Sequence, residues 1–221
     1  MNNIIDKHDI LNKNKIVRQS YKKVAEERLG ETRLNNMGSS MCIIKYINYS
    51  NIIVQFKNGY IDQTTYGNFI HGSVKNPYDI SVYNVGYIGI GNYSTSKNGD
   101  HTKQYDYWNQ MLRRCYDKQF QERQPTYKGC IVSEEWHNFQ NFAKWFDENY
   151  YEIEGEKISL DKDLLKQNNK IYSPNTCCFL PQGINVSLVS SKNKDIVKLQ
   201  AEKYKNYIPK EVYQALLEYK I

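Results

Sequence analysis

The dipeptide Asn58-Gly59 lies between two short β-branched and aromatic runs, NIIVQFK and YIDQTTYGNF. Asn-Gly favours the left-handed dihedrals of a tight hairpin turn, so this arrangement dictates two antiparallel strands. A third run, MCIIKYINY, leads into the turn residues Asn48–Asn51. Residues 37–93 therefore read as a small antiparallel sheet or barrel, with VGYIGIGNY as a further glycine-rich strand. Its glycines, Gly86, Gly89 and Gly91, lack the spacing and the following helix of a nucleotide-binding loop.

On either side the pattern turns helical. Residues 1–36 are polar and predict helix, with Ile16, Val17, Tyr21, Val24, Ala25 and Leu29 near helical spacing and Gly30 as the stop. Residues 94–102, within NYSTSKNGDHT, have the composition of an exposed linker. YDYWNQMLRRCYDK then places Tyr107, Met111, Leu112 and Cys115 on one helical face, with Arg113 and Arg114 towards another. TYKGCIV reads as a turn and a short strand. SEEWHNFQNFAKWFDENY opens on an N-cap candidate, Ser133, and carries an apolar stripe of Trp136, Phe139, Phe142, Ala143 and Phe146. Residues 194–221 predict two short helices split at Ile208-Pro209. The expected class is α+β: an N-terminal helical segment (1–36), a β-rich module (37–93), a linker (94–102), a domain over 103–193, and a helical tail (194–221).

The chain has 221 residues, enough for more than one core. No run approaches 18 apolar residues and the N-terminus lacks a signal-peptide apolar stretch, so a cytoplasmic location is expected. The formal charge of +6 permits nucleic-acid binding without demanding it. Five cysteines at irregular spacing read as reduced thiols, and Cys115, Cys130 and the Cys177/Cys178 pair show no CxxC knuckle for zinc. The 20 tyrosines suit wet interfaces.

The densest chemistry lies in SLDKDLLKQNNKIYSPNTCCFLPQGIN, residues 159–185. KISLDKD reads as a strand ending in carboxylates, KQNNKIYSPN as a polar loop, TCCFLP as a second strand and QGINVSLVSSKNK as a helix. That order can bring Asp161 near Asn185, two hard oxygen donors suited to Mg²⁺ or Mn²⁺. The alternative is a solvated hairpin with turn-forming asparagines.

The ordered set YWNQMLRRCY, YKGCIVSEEWHNFQNFAKW and LDKDLLKQNNKIYSPNTCCFLPQGIN resembles the HNH-type endonucleases carried by phages, many of them homing enzymes. The resemblance covers roughly residues 105–185 and implies a compact ββα metal site that hydrolyses DNA phosphodiester bonds with a divalent cation. It makes Asp161 the metal-binding acid and Asn185 the residue that completes the metal site. Asn175 or Thr176 becomes the loop-steadying position. Lys162 stands where such enzymes carry the general-base histidine. An ordinary lysine is an ammonium at pH 7 and accepts no proton, so Lys162 reads as a charge clamp and His137 or a metal-bound hydroxide as the base. Expected DNA contacts are Arg113, Arg114, Lys118, Arg123, Lys128 and Lys166. Two further readings follow from the missing histidine. One is a DNA-binding protein that keeps the fold without catalysis, and the other is a phage protein that blocks a host-defence protein.

Overall fold

The computed structural model describes residues 15, 19, 20, 22–190 and 194–219. The chain is α+β and divides after Asp79 into two compact units. Most of residues 1–21, including Ile16, Val17 and Tyr21 of the expected helical stripe, lie outside the described residues.

In the first unit, helix α1 (22–28) gives way to Gly30, whose left-handed φ of 85° ends it. Strand β1 (Thr32–Leu34) follows where helix was expected. It pairs with β2 (Ser40–Asn48), which pairs with β3 (Asn51–Phe56), which pairs with β4 (Ile61–Thr64) in an open antiparallel meander, not a barrel. The β3–β4 turn falls at Asn58-Gly59, with Gly59 at φ 90°. Alternation puts Met41 and Ile43 of β2 and Ile52, Val54 and Phe56 of β3 on one face, where they bury against Tyr66 and Phe69 of α2 (Tyr66–Ile70). The second half of YIDQTTYGNF is thus helix; Thr65 caps it by accepting from the Asn68 amide at 3.0 Å.

The second unit begins earlier than the pattern suggested. Residues 82–93 form isolated bridges, Val82 with Gly86 and Tyr87 with Asn138, in place of the expected strand. The glycines explain this. A Cβ on Gly86 would meet Leu112 Cδ1 at 2.6 Å, and one on Gly89 or Gly91 would overlap Asn138 or Gln140. They let this backbone lie directly on two helices, and Gln140 fixes it by donating to Ile88 O and Tyr93 O while accepting from Tyr93 N. The expected linker folds as a hairpin, β5 (Ser96–Lys97) with β6 (Asp100–His101). It ends in Thr102, the N-cap of helix α3 (Lys103–Tyr116).

Helix α3 buries Trp108, Met111, Leu112 and Cys115. Trp108, absent from the expected stripe, is the centre of that face, its indole donating to Trp136 O at 2.7 Å. Helix α4 (Lys118–Arg123) and a 3₁₀ turn at Pro125–Tyr127 lead to β7 (Ile131–Val132). The expected single helix from Ser133 is a 3₁₀ turn (Glu134–His137) followed by α5 (Phe139–Asn149). The cap is Asn138, which accepts from the Gln140 amide; Ser133 makes no capping bond. The rings of α3 and α5 pack with Phe179 in the larger core, each fully buried aromatic contributing about 2–3 kcal/mol. β8 (Ile158–Asp161) pairs antiparallel with β10 (Cys178–Pro181), and β9 (Ile171–Tyr172) between them pairs parallel with β7. Helix α6 (Gln182–Ser190) follows β10 directly. Helices α7 (Lys194–Tyr204) and α8 (Lys210–Glu218) break at Pro209 as expected, but they are no appendage. Val197, Ala201, Val212 and Leu216 bury against Leu164, Leu180 and Ile184 in a second core.

Candidate functional site

The turn after β8 is built by its own polar side chains. Asp161 is only 8% exposed. Its Oδ1 accepts the amides of Asp163 at 2.9 Å and Leu164 at 2.7 Å, which closes the chain into an Asx-type turn. Burial is the main influence on this carboxyl and pushes its pKa up, with the two amides pulling the other way.

Lys162 is 7% exposed, and its ammonium is fully engaged within the loop. Nζ donates to Asn169 O at 2.8 Å and Asp163 Oδ1 at 2.6 Å, and it sits 5.8 Å from the Tyr172 ring centroid. Asn168 takes a left-handed φ of 58°, which asparagine tolerates, and the chain turns so that Asn169 faces inward. Asn169 Nδ2 then donates to Lys162 O and Ile171 O, and its Oδ1 accepts from Ile171 N. One lysine and one asparagine thus tie the end of β8 to the start of β9.

The other candidates are placed as follows. Asn175 is exposed and makes no hydrogen bond among the described residues. The loop-steadying role belongs to Thr176, whose Oγ1 donates to Ile171 O at 2.7 Å, and to Asn169, which the sequence reading missed. Asn185 lies half-buried in the first turn of α6. His137 Nε2 donates to Val132 O at 3.1 Å, beside Tyr116 OH at 3.5 Å. Tyr116 OH in turn accepts from Val132 N, so the imidazole holds β7 against α3. Among the described residues no hydrogen bond, ion pair or ring contact joins His137 to Asp161, Lys162 or Asn185.

The fit to a divalent cation is poor on donor chemistry. One oxygen of Asp161 is held by two amides, a buried ammonium follows it in sequence, and no three His, Cys, Asp or Glu side chains gather among the described residues. Burial also pushes the Cys115 and Cys177 thiols up to about 12.

The basic candidates lie on the α3–α4 corner and the two loops that follow. Arg113 pairs with Asp117 at 3.5 Å, and its guanidinium stands 5.1 Å from the Phe120 ring. Arg114 is half-buried, 5.7 Å from the Tyr127 ring and within electrostatic reach of Tyr172. Lys118, Arg123, Lys128 and Lys166 are exposed. Lys170, also missed from the sequence, ties β9 to this corner by donating to Thr126 O at 2.9 Å. No described helix is long and apolar enough to cross a membrane. Compared with protein-family models, curated proteins and solved structures, the chain matches none.

Proposed function

We infer that the chain is a DNA-binding protein built on an HNH-like module whose catalytic position has been given over to holding the fold. The supporting observation is the exposed basic corner over 113–128. Lys118, Arg123 and Lys128 are exposed on the segment that follows Arg113 and Arg114, whose guanidiniums stand near aromatic rings. Planar cations and ammoniums on one short segment suit phosphate oxygens along a duplex backbone. The strand–loop–strand–helix of β8, β10 and α6 beside it is the part that resembles an HNH site. There Lys162 donates hydrogen bonds to Asn169 O and Asp163 Oδ1.

Such binding depends on salt and only weakly on sequence. Each phosphate contact contributes about 0.9 to the slope of log affinity against log salt. Replacing Lys118, Arg123 and Lys128 together by alanine is expected to flatten that slope by about 2–3 and to weaken binding to every duplex alike. Equal affinity and slope for wild type and the triple variant would overturn the reading.

Hydrolysis of DNA with Mg²⁺ or Mn²⁺ is the second reading. What favours it is the placement of Asp161 at the end of β8, opposite Cys178 of the strand that leads directly into the helix bearing Asn185. It needs water activated by a group other than Lys162 or His137. Nicking of plasmid that requires the metal and is lost in Asp161→Asn would establish it.

A further inference from the structure

The first unit carries a cleft that the DNA-binding reading does not use. A cavity of about 480 Å³ is lined by Gly38, Ser39, Ser40, Lys57, Asn58, Asn76 and Tyr78. A second of about 290 Å³ adjoins it, sharing Ser40 and Lys57 and continuing past Cys42, Gln55 and Gly59. The register of β2 and β3 accounts for the row. Cys42 lies opposite Gln55, and Lys57 N donates to Ser40 O, so these four side chains occupy the outer face of the sheet, opposite buried Met41 and Phe56.

The polar groups here differ from one another in a way that selects a ligand. Asp79 behind Ser39 is engaged within the unit: its Oδ2 accepts from Asn35 Nδ2 at 2.6 Å and its Oδ1 from Ser39 Oγ. Asn76 is 7% exposed. Its Oδ1 accepts from Tyr78 N at 3.1 Å and Asn58 Nδ2 at 3.3 Å, and the Tyr78 amide fixes which end of the side chain is oxygen. The Asn76 Nδ2 group therefore lines the cavity as a donor, and it makes no hydrogen bond among the described residues. Neither do Lys57 Nζ and Ser40 Oγ, and Lys57 has no ion pair among them. The Asn76 side chain is held in place through its oxygen, which leaves its NH₂ free to donate to whatever enters the cavity. An ammonium, a hydroxyl and an amide NH₂ around one cavity, with no carboxylate among its lining residues, call for a ligand that supplies acceptors and carries negative charge.

We propose that this cleft binds a phosphoryl group, with Lys57, Ser40 and Asn76 as its donors and the lobe past Cys42 and Gln55 holding the body that carries it. The phosphoryl group comes either from a free nucleoside monophosphate or from the backbone of a single nucleic-acid strand. The site shares no residue with the basic corner of the second unit.

Cys42 supplies the test. It is half-exposed in the lobe, whereas the other four cysteines are buried. A ligand in the cleft should slow alkylation of Cys42 by N-ethylmaleimide in the full-length protein. The probes are inorganic phosphate, adenosine monophosphate, adenosine and a short single-stranded thymidine oligonucleotide, each compared with the ligand-free rate of the same variant. Expected is protection by phosphate-bearing probes and none by adenosine, with apparent affinity falling tenfold or more in Lys57→Met and Ser40→Ala. Protection by the oligonucleotide alone, lost in the same variants, assigns the phosphoryl group to a strand. Protection by adenosine equal to that by its monophosphate, protection unchanged in both variants, or no protection by any phosphate-bearing probe would overturn the proposal. Circular dichroism of each variant separates loss of binding from loss of fold.

Discussion

Two polar regions of this protein look alike in composition and differ in what their atoms do. Around β8, Asp161, Lys162 and Asn169 are buried, and their recorded hydrogen bonds close on their own loop. Around β2 and β3, Lys57, Ser40 and Asn76 hold donors that have no partner among the described residues, at the edge of a cavity. Both contain a lysine, an asparagine and a neighbouring aspartate. A polar group whose partners are all internal holds a shape, and one whose partner is missing is available to a ligand. This contrast assigns the loop that resembles a catalytic site to structure and an unremarked sheet face to binding.

Substitutions separate the two. The largest effect is expected at Asn169→Ala, which leaves Lys162 O, Ile171 O and Ile171 N without their side-chain partner. A loss of about 3 kcal/mol in denaturant-unfolding stability is expected, and a change under a few tenths would break the comparison.

Asp161 gives the next effect, in two parts. Asp161→Ala removes the acceptor of two amides and is expected to cost about 2 kcal/mol. Asp161→Asn keeps an acceptor oxygen and removes a buried charge. The folded-state pKa of Asp161 lies above its ordinary 3.8, so this group favours the fold fully below that value. The contribution is lost as pH rises through the raised folded pKa. Urea melts should therefore find Asp161→Asn gaining on wild type between pH 4 and neutrality, about those limits in practice. A wild-type advantage that grows with pH would mean that the ionised carboxylate is stabilised, as in a salt bridge.

Lys57→Met is expected to change stability by less than about 0.5 kcal/mol, since no internal partner is lost. A larger loss would place Lys57 with the structural lysine, Lys162, and erase the contrast.

Much of the fold was legible because its determinants are local. Asn58-Gly59 marks the β3–β4 turn, and the stripes of α3 and α5 carry their period in sequence. What was illegible depends on distant partners. Gly86, Gly89 and Gly91 read as strand or loop until Leu112, Asn138 and Gln140 are seen against them. The parallel pairing of Ile131 with Ile171 leaves no periodic trace in two-residue strands. Asn138 displaced Ser133 as a cap because Ser133 precedes a 3₁₀ turn, not the helix. At the candidate site, residue types drew attention to the loop after β8, and the Asn168-Asn169 pair was read as part of a turn. Which asparagine faces inward depends on the left-handed backbone at Asn168. The resemblance drew attention to Asp161 and Asn185; burial and hydrogen bonding then identified Lys162 and Asn169 as the pair that closes the loop.

The most direct measurement is incubation of the wild-type protein with supercoiled plasmid and either Mg²⁺ or Mn²⁺, run on a gel that resolves both retardation and nicking. Retarded plasmid that remains supercoiled with each metal, and is released as salt rises, is the expected result. Plasmid nicked only in the presence of metal, and left intact by Asp161→Asn under the same conditions, would contradict it.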